Sequence, residues 1–196
     1  MATIENLKAA TALIMGDEVA ALYDAGTDWS QRAFKGEITT ADFRILAMPR
    51  VLAPYNKAIA FYTHGHNPET SIICFMRHYI GCGMVVHEGA SMTISEVLLH
   101  EMCHAYQRQV STETRWRNDD RPHRDGRWFD AVRVASSNLW ADGQELPIEI
   151  FNPRRKGALF SDVEMHHFPA GFEQKIRTYV EAQSGQPAKM AANESA

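Results

Sequence analysis

One stretch of the sequence carries residues whose types and spacing suit metal chemistry. Thr93 to Val110 reads TISEVLLHEMCHAYQRQV and contains a single His-Glu-x-x-His formed by His100, Glu101 and His104. On a helix, histidines four apart stand one turn from each other, with Cβ atoms about 6 Å apart, so both imidazoles reach one ion. Glu101 projects about 100° round from His100, on the same side of the cylinder. A carboxylate is thereby set beside the metal without being a ligand to it. A zinc hydrolase needs this arrangement, because the metal acidifies a water and the neighbouring carboxylate takes its proton.

The motif has this meaning only on a helix, and the flanking residues supply one. Thr93 followed by Glu96 matches a capping box immediately before the apolar run. On a helical wheel Ile94, Leu98, Leu99, Met102, Ala105, Tyr106 and Val110 cover one side. Val97, His100, Glu101, His104 and Arg108 cover the other, which predicts a core face and a chemical face. The plainer alternative is a pair of solvated histidines on a helix surface.

A catalytic zinc commonly takes three protein ligands and keeps a fourth position open, so a further ligand is required. After Val110 the chain turns hydrophilic, STETRWRNDDRPHRDGR, which predicts a surface loop. Within it His123 lies just ahead of a helix with Trp128, Phe129, Val132, Ala135, Leu139 and Trp140 at its apolar positions and Asp125 as its cap. His123 is the candidate third ligand, with Asp130 and His166 as alternatives.

The remaining elements must position these groups. Residues 3 to 23 predict a helix capped by Thr3 and ended by Asp24-Ala25-Gly26. Two short helices follow to about residue 48, broken near Gly36 and ending before Pro49. His64-Gly65-His66-Asn67-Pro68 is a turn by composition, although two histidines so spaced can share a metal on an extended backbone. Residues 71 to 80 and 84 to 88 are rich in β-branched and aromatic types and predict a β-hairpin, or at least two neighbouring strands, leading through Gly89 into the motif helix; His78 and His87 are sheet residues there. An extended peptide can add to the edge of such a sheet. Arg154, Arg155 and Lys156 form a basic turn, and a last helix spans about 170 to 182. The stretch 184 to 196 reads as a disordered tail, which leaves one domain over 1 to 183.

Composition limits the classes. The 196 residues, 45% hydrophobic and 22% charged, are ordinary for a globular chain with a sizeable core. The apolar runs fall short of a membrane span and the first residues lack a signal-peptide pattern, so a cytoplasmic protein without a membrane partner is expected. Three cysteines, Cys74, Cys82 and Cys103, are too few and odd in number for a disulfide framework, and with no Cys-x-x-Cys a zinc ribbon is excluded. Cys103 reads as a small core residue. A net charge of −4 gives no global attraction to nucleic acid.

With His123 included, the sequence resembles the SprT-like zinc metallopeptidases, which include bacterial SprT proteins and the DNA-repair protease Spartan. The resemblance lies in VLLHEMCHAY at 97 to 106, then a charged loop, then His123, Gly126, Trp128 and Phe129 at the head of a helix. It covers roughly residues 90 to 140. In the family the histidine is usually followed directly by Gly, whereas here Gly126 stands third after it. The resemblance implies an α+β zincin-like core with a small antiparallel sheet packed against the motif helix. It further implies Zn2+ on His100, His104 and His123, with Glu101 as general base and a protein or peptide substrate. DNA-associated proteins as substrates are an implication of the family alone. Two other classes compete with an endopeptidase: a nucleic-acid-associated protein whose zinc is structural or inactive, and a zinc hydrolase of small amides.

Overall fold

The structure, a computed structural model, describes residues 3–49, 58–65, 70–87, 90–112, 123 and 125–143. Three helices open the chain: α1 Ile4–Met15, α2 Asp17–Ala20 and α3 Leu22–Phe34. Thr3 caps α1 as expected, its hydroxyl accepting the Asn6 N–H at 3.3 Å. The break comes at Gly16, whose φ of +97° few other residues adopt, and the helix then runs through the predicted stop at Gly26. Gly26 is a packing residue instead. A Cβ there would stand 2.5 Å from the Thr40 Cγ2 and 3.5 Å from Leu98 Cδ2, so its bare backbone lets α3 approach its neighbours closely.

The second predicted short helix is a strand. Residues Arg44–Met48 form β1, which pairs in parallel with β3, Ile72–Met76, from Arg44↔Ile72 to Met48↔Met76. Strand β2, Ala60–Thr63, pairs antiparallel with the other side of β3, from Ala60↔Phe75 to Thr63↔Ile72. The class is α+β as expected, but the sheet is mixed, in the order β1-β3-β2, rather than antiparallel. The strands expected within 71–80 and 84–88 both form, but among the described residues they do not pair as a hairpin. Both sides of β3 are taken, and the chain leaves it through a 3-10 turn, Arg77–Tyr79. Strand β4, Val85–His87, pairs with β5, Ala90–Met92, as a separate antiparallel ribbon that leads into the motif helix.

That helix, α4, spans Ile94–Gln109. Its capping box is complete: the Thr93 hydroxyl accepts the Glu96 N–H at 3.1 Å and the Thr93 N–H donates to Glu96 Oε2 at 2.7 Å. Thr93→Ala should therefore cost about 1 kcal/mol in urea unfolding, with Thr93→Ser restoring most of it. The α4 helix packs against β2 and β3 on one side and against α3 and α5 on the other. Its two expected faces are consequently both buried: Leu98, Leu99, Met102 and Cys103 are inaccessible, and Val97, Glu101 and His104 nearly so. Helix α5, Gly126–Ala141, starts at the expected cap, with the Asp125 carboxylate accepting the Arg127 N–H at 2.8 Å. It buries Trp128, Phe129, Val132, Ala135 and Leu139 against α3 and α4, while Trp140 stays 36% exposed.

No helix among the described residues is long and apolar enough to cross a membrane. The basic turn at 154–156, the helix expected at 170 to 182 and the tail from 184 lie outside the described residues.

Candidate metal centre

Packing of α5 on α4 brings His123, three positions ahead of α5, against the histidines of α4. The Nε2 of His123 lies 3.0 Å from the Nε2 of His100 and 3.0 Å from the Nε2 of His104. Ligating nitrogens of all three fall within 4.8 Å of one another, close enough to hold a metal ion. They are the only three or more His, Cys, Asp or Glu side chains so grouped among the described residues. His104 is buried, and His100 and His123 are half-buried, so the cluster opens on the His100–His123 side.

Asp130, an alternative third ligand, is engaged elsewhere. Its carboxylate accepts from the Ser111 hydroxyl at 2.7 Å and from Arg133 at 2.7 Å. His166 lies outside the described residues. His64 is exposed and shares a 3.1 Å hydrogen bond with the Tyr62 hydroxyl, and His78, exposed, lies against the Tyr79 ring. His66 is outside the described residues, as is the side chain of His87.

The donor set fits a divalent metal. Three imidazoles suit zinc and other first-row ions, and the ligating form of histidine is neutral. Burial, together with the neighbouring His100 and His123, holds His104 well below the usual histidine range, and so keeps it neutral. Its Nδ1 lies 3.0 Å from the Gln107 Oε1. Trp128 forms the floor. Its ring stacks on His104 at 4.3 Å between centroids and 29° between planes, lies 5.0 Å from His100, and meets His123 edge-on at 4.8 Å.

Glu101 follows His100 directly in the chain and is only 6% exposed. Burial pushes its carboxyl up to about 8, against a pull downwards from the backbone N–H of Tyr62 on β2, which donates to it. A dication among the histidines would draw it down further, since an opposite charge favours the ionised form. Cys103, next in the motif, is inaccessible, and burial followed by the nearby Glu101 pushes its thiol up, so it is an inert core residue.

Three participants escape a reading of the sequence. Gln107 is fully buried and reaches His104 from the next turn of the same helix, a spacing of three that was its only visible signal. Trp128 reads as core but also touches all three histidines. The Tyr62 amide comes from a strand nearly forty positions away and carries no mark in the sequence. Tyr106 points the other way: its hydroxyl donates to Glu37 at 2.9 Å and its ring stacks on Phe34, which removes it from the reacting groups.

Compared with protein-family models, curated proteins and solved structures, the chain matches none.

Proposed function

We propose that this chain is a zinc-dependent endopeptidase of the His-Glu-x-x-His type, similar to the SprT-like metallopeptidases, with the ion held by His100, His104 and His123. The observation that carries this reading is the convergence of three histidine Nε2 atoms, one of them from the residue next to the buried Glu101 in the chain. When bound, zinc supplies a Lewis acid that brings the pKa of a water near neutrality and polarises the scissile carbonyl.

The chain's own groups do the rest. Glu101 takes a proton from the attacking water onto its carboxylate and returns it to the leaving amine. Burial raises this carboxyl and a bound dication would pull it down again, and a carboxyl held between the two influences both accepts and gives up a proton. The Tyr62 N–H holds the carboxylate against β2, which limits the rotamers it can adopt. A peptide substrate is supported by the place of β2 at the side of the three-stranded sheet among the described residues and against α4, since an outer strand is where an extended chain can add. Substrates bound to DNA rest on the family resemblance alone.

Metal content per chain tests the proposal. Full-length protein purified without chelator should carry about one zinc ion, and His123→Ala prepared identically should lose most of it. Unchanged zinc in the variant would move the third ligand elsewhere. A wild type that stays empty even after zinc is added would leave the cluster as three packed histidines and remove the enzyme reading with it.

A further inference from the structure

A histidine ligates through one nitrogen only if the proton sits on the other. In a neutral imidazole the two tautomers are close in energy, and the hydrogen bond made by the far nitrogen decides between them. His104 makes that bond inside the protein. Its Nδ1 faces the Gln107 Oε1 at 3.0 Å, and the Gln107 side chain is completely buried one turn further along α4. The opposite nitrogen of the same ring, Nε2, is the one that faces His123 within the cluster.

We propose that Gln107 is a positioning residue for the metal centre: its carbonyl oxygen accepts the Nδ1 proton of His104 and so presents a bare Nε2 lone pair to the ion. The proposal rests on the reading of the three histidines as a metal site and assigns the group that prepares one of them. Burial gives it force. On the buried side of the cluster, where His104 meets Gln107, no solvent molecule replaces the amide when it is removed, so the ring loses both its preferred tautomer and a restraint on its rotation. The stacked Trp128 ring fixes the plane of the imidazole, and Gln107 fixes which edge of it bears the proton.

Nitrogen-15 NMR of the imidazoles in the metal-free full-length protein reads the tautomer directly, and zinc affinity from competition with a chromophoric chelator reads its consequence. His104 should be in the Nδ1–H form in the wild type. In Gln107→Leu it should move toward Nε2–H, and zinc should bind about 10- to 100-fold more weakly. Gln107→Glu retains the acceptor, so it should keep the Nδ1–H form and restore affinity to the wild-type level or above it. An Nε2–H tautomer in the wild type would overturn the assignment without any variant having to fold. So would a Gln107→Leu protein with unchanged tautomer and affinity. If His104 is Nδ1–H in the wild type and shifts in Gln107→Leu, yet neither protein binds zinc, the orienting role stands and the peptidase reading fails.

Discussion

Glu101→Gln is expected to keep its full complement of zinc and its thermal stability while losing about 10²- to 10⁴-fold in turnover on a peptide substrate. The substitution preserves size and one hydrogen-bond acceptor, so the Tyr62 N–H still has a partner. What disappears is the ability to take and return a proton. Stability should not suffer, because the wild type buries an ionisable carboxyl whose charged form is disfavoured there, and an amide avoids that cost. The measurement is paired: metal content and thermal midpoint on one side, kcat on the other. Full activity in a zinc-loaded Glu101→Gln would remove Glu101 from the chemistry.

The second large effect concerns the floor of the site. Trp128 is inaccessible and packs against all three histidine rings. Trp128→Ala should therefore destabilise the fold by about 3–5 kcal/mol in urea unfolding, the range for truncating a large buried aromatic side chain. Zinc affinity should fall with it, since the rings lose the surface that limits their rotation. Trp128→Phe separates the two roles. It retains an aromatic face under His104 and deletes a buried indole N–H that has no hydrogen-bond partner among the described residues. The Phe variant should stay folded and keep metal close to wild type. Equal losses in the two variants would show that the indole, rather than the aromatic packing, holds the site.

The parts of this architecture that were legible in the sequence are those fixed by neighbours along the chain. Thr93 and Glu96 satisfy each other's backbone groups within one turn, Asp125 caps its own helix, and His100 and His104 share a face by helical geometry alone. His123 was legible because a third donor was chemically required and the head of α5 offered one. Strand β1 was not. Arg-Ile-Leu-Ala-Met contains good helix formers, and it is extended because β3, starting 28 positions later by the register Arg44↔Ile72, supplies its hydrogen bonds. The hairpin prediction failed for a related reason: two apolar runs in sequence say nothing of whether an earlier strand already occupies the partner's edge. The burial of both faces of α4 likewise depends on the sheet, α3 and α5 closing round it, which no periodicity within eighteen residues reveals.

The close approach at Gly26 also restricts how this protein can change over generations. Thr40 is wholly enclosed, and its Cγ2 occupies the space a Cβ at position 26 would need. The α4 side chains Leu98 and Met102 stand at ordinary contact distance from the same point, so the conflict lies between α3 and the segment that carries Thr40. The two positions are therefore an epistatic pair with a fixed order of events. A mutation that removes the methyl, Thr40→Ser for example, opens the way for Gly26→Ala, whereas the same two steps taken in reverse pass through an intermediate in which α3 and the Thr40 segment no longer fit.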